Sequence, residues 1–160
     1  MATVKQEKTN AMRMLDAAGV SYQVHYYDPE QALSGTEVAS FLDQDSDKVF
    51  KTLVTVGKSG SHYVFMIPVA AELDLKKAAR AAGEKNIAMI KSKELLPLTG
   101  YIHGGCSPLG MKKQFQTFID EMAELADSLM CSGGKIGCQI ELTLDALQDV
   151  VSVEVADLTV

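Results

Sequence analysis

Residues 100–113 read Gly-Tyr-Ile-His-Gly-Gly-Cys-Ser-Pro-Leu-Gly-Met-Lys-Lys. Glycine and proline interrupt this segment too often for a regular helix or strand. Glycine permits positive φ and a close approach of the backbone to a bound group, and consecutive N–H groups in such a turn attract anions or oxyanions. We therefore interpret the segment as a binding loop, with a plain surface turn as the alternative. Its position between two strongly apolar halves, with a lysine pair directly after the glycines, favours binding.

The size and composition of the chain are those of a globular protein. It has 160 residues, of which 47% are hydrophobic and 22% charged. Such a chain can bury a core without disulfides or metal, so one domain over residues 1–160 is expected. No run reaches the roughly 20 apolar residues of a membrane span, and the polar first ten residues do not resemble a signal peptide. We therefore expect a cytoplasmic protein without a membrane partner, and reduced cysteines.

The net charge limits the kind of nucleic acid that the protein could bind. Acidic residues outnumber basic ones, giving a formal net charge of −6. Proteins that grip long nucleic acids through their own field use clustered lysine and arginine instead, so DNA is not an expected partner. A small contact with one terminus of an RNA remains compatible with the sequence, because a few lysines and backbone amides suffice there.

Helix signals are clearest in the first half of the chain. Residues 10–18 form a short amphipathic pattern that ends at Gly19, where a C-terminal cap is expected. Ser34 and Glu37 have the spacing of a capping box, which predicts a helix through residue 42. A third helix is predicted over residues 74–82, with an aspartate at its N-cap.

Strand signals separate these helices. A strand at residues 22–27 precedes a central hairpin, whose alternating arms cover residues 48–56 and 62–69. A short continuous apolar run at residues 87–90 predicts a buried strand, and a helical turn at 92–96 leads into the glycine loop.

Beyond the loop, the pattern is ambiguous in one place. Residues 115–126 fit helical spacing, although 115–119 alone would pass for a strand. The remaining predictions are strands at 128–131 and 138–142 joined by a glycine turn, a helix at 143–150 and a strand at 152–155. Paired strands between helices favour an α+β fold with a mixed sheet.

Lys51 is the first candidate for chemistry outside the loop. Alternation places it on one face of a strand with Val49 and Leu53. A cation among aliphatic side chains either guards a sheet edge against aggregation or faces a ligand in a pocket. The glycine loop is the second candidate, as a cradle of backbone N–H groups for an oxyanion or a carbonyl.

Thiol and metal chemistry receive less support from the sequence. His103 and Cys106 are three residues apart but have no third orienting group nearby, so Cys106 is interpreted as a small buried hydrophobe. A zinc site would also need Cys131 and Cys138, whose spacing is not that of a metal motif. His25 lies within a predicted strand and is interpreted as a packed or surface side chain. No metal and no cofactor are expected.

Several of these segments together resemble a known family. They are Phe50-Lys51-Thr52-Leu53, Gly100-Tyr101, Gly104-Gly105-Cys106-Ser107-Pro108-Leu109-Gly110 followed by Lys112-Lys113, and Ser132-Gly133-Gly134-Lys135. In this combination the chain is similar to the YbaK/EbsC family, free-standing relatives of the prolyl-tRNA synthetase editing domain. The resemblance covers almost the whole chain and implies a strongly twisted, partly barrel-like mixed sheet flanked by helices. It also favours a strand at residues 115–119.

The resemblance implies an enzyme that removes amino acid from mischarged tRNA, chiefly cysteine from Cys-tRNA(Pro), with Cys-tRNA(Cys) as a further substrate. It implies catalytic roles for Lys51, for Gly104 through its backbone, and for Tyr27 as a pocket wall. The expected substrate-binding residues are Thr52, Gly105, Cys106, Ser107, Pro108, Gly110, Lys112, Lys113, Ser132, Gly133 and Gly134. Gln139 is a local departure, because some members carry a different polar residue there.

The expected partner is therefore aminoacyl-tRNA, bound through its terminal adenosine and aminoacyl ester, with prolyl-tRNA synthetase as a further candidate. An aminoacyl ester is activated, so backbone donors and a lysine could suffice without a Ser/His/Asp triad, and the sequence offers none. The attacking group is then expected to be the thiol of the substrate cysteine. The alternatives are an Ala-tRNA(Pro) deacylase, a thiol hydrolase using Cys106, and a non-catalytic module that binds a nucleotide or the tRNA end.

Overall fold

The computed structural model describes residues 8–30 and 34–160, which form helices and strands in alternation. The helices are α1 (Asn10–Ala18), α2 (Gly35–Phe41), α3 (Leu75–Ala82), α4 (Ser92–Thr99) and α5 (Leu144–Val150), with a 3₁₀ helix at Glu121–Leu125. The strands are β1 (Gln23–Tyr26), β2 (Phe50–Gly57), β3 (His62–Pro68), β4 (Ile87–Met89), β5 (Gln116–Asp120), β6 (Leu129–Ser132), β7 (Cys138–Leu142) and β8 (Val153–Ala156).

The strands form two sheets, which confirms the predicted α+β fold with a mixed sheet. The larger sheet has the order β4-β2-β3-β5-β8, with β2 and β3 as the predicted antiparallel hairpin and β5 parallel to both its neighbours. The smaller sheet is antiparallel, with the order β1-β7-β6. A single parallel bridge between Val49 and Met130 joins the two sheets. In the described residues no other strand pairing joins the two sheets, so they do not close into a barrel.

The predicted helix caps are present in the structure. Ser34 accepts a hydrogen bond from the N–H of Glu37, whose carboxylate accepts one from the N–H of Ser34. The side chains of Asp74 and Thr143 likewise accept from the first turns of α3 and α5. Gly19 ends α1 with a φ of 70°, the left-handed conformation that glycine adopts most readily. These signals are local, so the sequence alone was sufficient to predict them.

The ambiguous segment after the glycine loop contains both kinds of structure. Residues 116–120 form β5, as the family resemblance favours, and residues 121–125 form the 3₁₀ helix. β5 lies between two parallel neighbours, so Phe118 and Ile119 are buried on opposite faces and the apolar run is continuous. Asp120 ends the strand, because one carboxylate oxygen caps the 3₁₀ helix and the other accepts from the N–H of Leu158.

Two expectations near the loop were wrong in detail. The strand predicted as buried at residues 87–90 is the edge strand β4, in which Ile87 is buried but Ala88 and Met89 are exposed. An edge strand that pairs only with β2 leaves one side open to solvent. The helical turn predicted to stop at residue 96 continues through Pro97 as α4 and ends at Thr99, whose side-chain hydroxyl donates to the carbonyl of Leu95.

Both faces of the larger sheet are covered by other elements. Because side chains alternate along a strand, each β2 residue belongs to one face or the other. One face packs against the smaller sheet in the main core, where Phe50 and Met66 meet Leu109 and Ile140. The opposite face carries Phe65, Ile67 and Phe118 against the alanines of α3. Among the described residues, no helix is long and apolar enough to cross a membrane.

Candidate active site

Four polar residues from four neighbouring strands lie side by side on one surface. Gln139 of β7 is the register partner of both Ser132 on β6 and His25 on β1. The bridge from Met130 to Val49 continues the arrangement onto β2, and Ser132 and Lys51 each follow that bridge by two residues. Because side chains alternate along a strand, positions two apart share a face. We call Lys51, Ser132, Gln139 and His25 the polar row.

Lys51 lies at a local gap between strands. On the side of β2 away from β3, pairing with β4 begins at Thr55 and the bridge to β6 is at Val49, so the residues between them have no partner strand there. The Lys51 side chain is half-buried and shares its face with Val49 and Leu53, as predicted. Its ammonium makes no hydrogen bond or ion pair with any residue that the structure describes. Lys51 is therefore available to bind a ligand. Its position on an unpaired stretch of β2 also fits the alternative, in which the cation protects a strand edge against aggregation.

Gln139 is the most deeply buried member of the polar row. It is 7% exposed, and its Oε1 atom has no hydrogen-bond partner among the described residues. Buried side-chain acceptors normally have a partner, since leaving one unsatisfied costs about 1–3 kcal/mol. The sequence flagged this position only as a departure from the family pattern.

Glu141 holds His25, the member of the polar row farthest from Lys51, in position. Its carboxylate accepts hydrogen bonds from the Ser128 hydroxyl at 2.5 Å and the Lys48 ammonium at 3.2 Å, and lies 2.9 Å from Nε2 of His25. The hydrogen bond from Ser128, helped by His25 and Lys48, holds the pKa of Glu141 below its usual value despite partial burial. Sequence reasoning missed this network, because its members are far apart along the chain.

The two glycine turns contact each other beside the polar row. Gly104 has a φ of 87°, in the region that glycine occupies at little cost. A Cβ on Gly105 would lie 3.0 Å from the backbone nitrogen of Ile136 and 3.1 Å from Cα of Lys135. The turn at residues 132–137 therefore joins the row, through Ser132, to the loop at Gly104.

The turn at residues 132–137 is held in place by contacts with Thr9 and Cys138. The hydroxyl of Thr9 donates a 2.5 Å hydrogen bond to the carbonyl of Gly133, and a Cβ on Gly133 would lie 2.4 Å from Sγ of Cys138. The N–H of Gly134 donates to the Ser132 hydroxyl at 3.1 Å. These contacts fix the Ser132 side chain in the row, where it is 8% exposed.

A family model for the aminoacyl-tRNA editing domain matches residues 29–150, which include most of this site. The chain belongs to the aminoacyl-tRNA editing domain family. A protein of Enterococcus faecalis with the provisional name Cys-tRNA(Pro)/Cys-tRNA(Cys) deacylase EbsC is 44% identical over 155 residues, covering 96% of this chain and 94% of the relative.

Solved structures agree with this membership. A crystal structure described provisionally as a trans-editing enzyme for prolyl tRNA synthetase matches with a TM-score of 0.85 and 25% identity, covering 94% of this chain and 95% of that one. The crystal structure of a hypothetical protein matches with a TM-score of 0.86 and 20% identity, covering 95% of this chain and all of that one (100%). The second likeness concerns the fold alone.

Several residues expected to bind substrate lie in the interior of this editing domain. Cys106, Ser107 and Pro108 are buried, and the Ser107 hydroxyl accepts from the N–H of Leu109. A Cβ on Gly110 would lie 2.7 Å from the backbone of Asn10, so this glycine permits close packing of the loop on α1. In the structure these residues shape the loop, and they are not part of the polar row.

Thr52 and the lysine pair also lie apart from the row. Strand alternation turns Thr52 to the face of β2 opposite Lys51, where its hydroxyl is buried without a partner among the described residues. Lys112 and Lys113 are exposed beyond the loop, with Nζ of Lys113 6.0 Å from the centre of the Phe115 ring.

Tyr27 follows β1 directly, next to the row. It is 8% exposed and packs with Val38 of α2, while its N–H donates to the carbonyl of Gly137 at 3.0 Å. This position connects the second glycine turn to the helix beside it. A tyrosine here can form a wall, as the family resemblance implies.

The thiols of the editing domain are poorly suited to nucleophilic attack. All three cysteines are free and buried. Burial raises the pKa of Cys106 to about 12, even though a contact with Thr99 opposes the shift, and burial also raises the pKa of Cys131 to about 12. Almost no thiolate is present at neutral pH with such values. Within residues 8–30 and 34–160, no three His, Cys, Asp or Glu side chains are grouped as a metal site requires.

Proposed function

We propose that this editing domain hydrolyses mischarged Cys-tRNA(Pro) in trans, with Cys-tRNA(Cys) as a further substrate. Membership of the editing-domain family and the name of the 44% identical relative support the reaction class and the amino acid. The observation that carries the proposal is the polar row, because Lys51 is a half-buried cation without a partner among the described residues and Ser132 begins the turn that packs against the Gly104 loop.

Lys51 and the Gly104 loop have different roles in this proposal. The Lys51 ammonium binds the terminal phosphate or ribose of the tRNA and so positions the ester. In the loop, the N–H of Gly105 already donates to the carbonyl of Ile102, whereas that of Gly104 donates to no backbone carbonyl of the described residues. We therefore assign the ester oxygen to the Gly104 N–H, which stabilises the negative charge that develops on it.

The nucleophile in this proposal is the substrate's own thiol. Its sulfur attacks the ester carbonyl, the C–S bond forms, and the C–O bond to the ribose breaks. The electron pair and a proton go to the ribose oxygen, which releases tRNA and a four-membered thiolactone that water then opens. A cysteine thiol with a pKa near ~8.5 is a few per cent ionised at neutral pH, so the protein needs only to hold the reactive conformer.

The negative net charge favours a limited contact with the tRNA. With a formal net charge of −6, the chain is unsuited to bind a long stretch of phosphates. We propose that it contacts the terminal adenosine and the aminoacyl ester, and that a partner such as prolyl-tRNA synthetase selects tRNA(Pro). Editing is useful there because a pocket distinguishes amino acids of similar size by only ~1–3 kcal/mol.

Deacylation of purified charged tRNAs tests this function. Cys-tRNA(Pro) should be cleaved much faster than Ser-tRNA, Ala-tRNA(Pro) or Pro-tRNA(Pro) under single-turnover conditions. Faster cleavage of Ala-tRNA(Pro) would replace the proposed substrate with the related one, for which the same site would use water. Binding of uncharged tRNA without any deacylation would favour a non-catalytic module.

A further inference from the structure

We infer that Gln139 forms the subsite for the α-amino group of the aminoacyl ester, with its Oε1 atom accepting a hydrogen bond from the ammonium. This inference rests on the proposed function and extends it from the ester to the amino acid. Its structural basis is a buried side-chain acceptor on the same face as the other members of the polar row. Gln139 Oε1 has no partner among the described residues, although the residue is only 7% exposed.

Neither register partner of Gln139 in the row donates to this acceptor. The Ser132 hydroxyl accepts a hydrogen bond from the N–H of Gly134, Nε2 of His25 lies against Glu141, and no hydrogen bond from either side chain to Gln139 is present among the described residues. A bound group that carries a donor would satisfy the acceptor.

The surroundings favour a cationic donor over a neutral one. Glu141, two residues along β7 and so on the same face, is a carboxylate fixed in its ionised form by Ser128, Lys48 and His25. Lys51, which has no partner among the described residues, is two strands away from Gln139 across β6, at roughly 10 Å for adjacent strands about 4.8 Å apart. An ammonium at Gln139 thus lies two strand spacings from Lys51 and on the same face as Glu141, a carboxylate that it would share with Lys48.

The spacing of the row also fits one aminoacyl ester. In the proposed function the ester end is held by the Gly104 N–H and by Lys51, and the α-amino group is two to three bonds farther along the substrate. Ser132 occupies the strand between Lys51 and Gln139, so an ester held above Ser132 has its phosphate side toward β2 and its amino side toward β7. Holding the amine at Gln139 would restrict rotation about the Cα–carbonyl bond, which determines where the thiol lies.

A substrate without the amine tests the inference. 3-Mercaptopropionyl-tRNA(Pro) retains the thiol and the ester of Cys-tRNA(Pro) but has no α-amino group. Single-turnover cleavage by the wild-type protein should be slower for this substrate by roughly 10- to 100-fold, the loss expected for one hydrogen bond to a charged group. Gln139→Leu should cleave Cys-tRNA(Pro) slowly by a similar factor and should not distinguish the two substrates. The effects of removing the amine and removing the amide would then not add.

Two further variants separate this role from a structural one. Gln23→Leu changes an exposed glutamine on the same face of β1 and should retain the wild-type preference for the amine. Gln139→Glu keeps an acceptor at the site, so it should retain the preference even if Gln139→Leu folds poorly. If Gln139→Leu still distinguishes the two substrates by the full wild-type factor, or if the wild-type protein cleaves them equally, the inference is wrong.

Failure of the proposed function would look different. In that case the wild-type protein would cleave neither of the two thiol-containing aminoacyl or acyl esters of tRNA. The subsite would then be tested by binding alone, with non-hydrolysable 3′-amide analogues of cysteinyl-adenosine and 3-mercaptopropionyl-adenosine. A tighter complex of the wild-type protein with the first analogue, abolished in Gln139→Leu, would support the subsite, and equal binding would overturn it.

Discussion

Ser132 and Gln139 face each other as register partners between β6 and β7, and both are more than nine-tenths buried. Two polar side chains in such a position are unusual in a strand pair that otherwise contributes Cys131 and Ile140 to the core. The face that they occupy continues through the Val49–Met130 bridge to Lys51. One surface thereby connects the lysine, the second glycine turn and the Gly104 loop.

Lys51→Ala should remove deacylation while leaving the fold intact. The ammonium has no partner among the described residues, so its loss should change the free energy of unfolding by no more than about 1 kcal/mol. Single-turnover cleavage of Cys-tRNA(Pro) should fall by at least about 100-fold, because positioning and charge are lost together. Lys58→Ala, in the exposed turn of the same hairpin, is the matched control and should be fully active. An active Lys51→Ala protein would return Lys51 to the role of an edge guard.

Gly104→Ala should reduce activity more than stability. A Cβ there would lie 3.5 Å from Ile136, an ordinary contact, so the cost to folding comes from the φ of 87° and is about 1–2 kcal/mol. Gly60→Ala has the same kind of cost, with a φ of 91° and open space around the new Cβ, but lies in the β2–β3 turn. Thermal unfolding should therefore rank the variants equally, whereas deacylation should fall only in Gly104→Ala. Equal activity of the two would remove the loop from the mechanism.

Cys106→Ser should retain most of the activity. Burial keeps the Cys106 thiol protonated, with a pKa of about 12, so it is not available as a nucleophile at neutral pH. Deacylation should stay within a factor of about two to three of wild type, and iodoacetamide should not inhibit the folded protein. A stable Cys106→Ser variant without activity would favour the thiol-hydrolase alternative.

Glu141→Gln should destabilise the protein in a pH-dependent way. The pKa of Glu141 is lowered in the folded protein, so the folded state binds fewer protons there than the unfolded chain, whose value is near 4.5. The resulting stabilisation is present above that unfolded value and is lost as the pH falls through the lower, folded pKa. Urea unfolding between about pH 7 and about pH 3 should show the difference from wild type shrinking in the acid range.

The exposed Glu154→Gln on β8 is the matched control and should show no such trend. A wild-type advantage over Glu141→Gln that stays constant down to the lowest pH would mean that packing, rather than charge, explains the effect.

Features that depend on residues close together in the sequence were the ones that could be predicted. The capping box at Ser34 and the cap at Asp74 depend on residues three or fewer positions apart, so the sequence was sufficient. Lys51 was also accessible, because a cation among aliphatic side chains is anomalous within a single strand. Residues 116–120 were ambiguous because a central parallel strand is apolar on both faces, which removes the alternation that identifies strands.

Only part of the polar row could be assembled from the sequence, where the family resemblance placed Lys51 and Ser132 at the site but assigned no site role to His25 or Gln139. The row brings together positions 25, 51, 132 and 139, and its connection to β2 depends on a single bridge between distant segments. Ser132 and Gln139 each look like ordinary solvent-facing residues of a strand until the burial of that face is known. The loop showed the opposite problem, because Cys106 and Ser107 are part of a distinctive motif yet serve its packing.

The most direct test of the central claim compares free with S-alkylated Cys-tRNA(Pro) in single-turnover cleavage by the wild-type protein. If the substrate thiol attacks its own ester, alkylation removes the nucleophile, and cleavage should fall to the rate without enzyme. The free substrate should be cleaved rapidly in the same experiment. Equal rates for the two substrates would contradict the account, because they would show that water, activated by the protein, is the nucleophile.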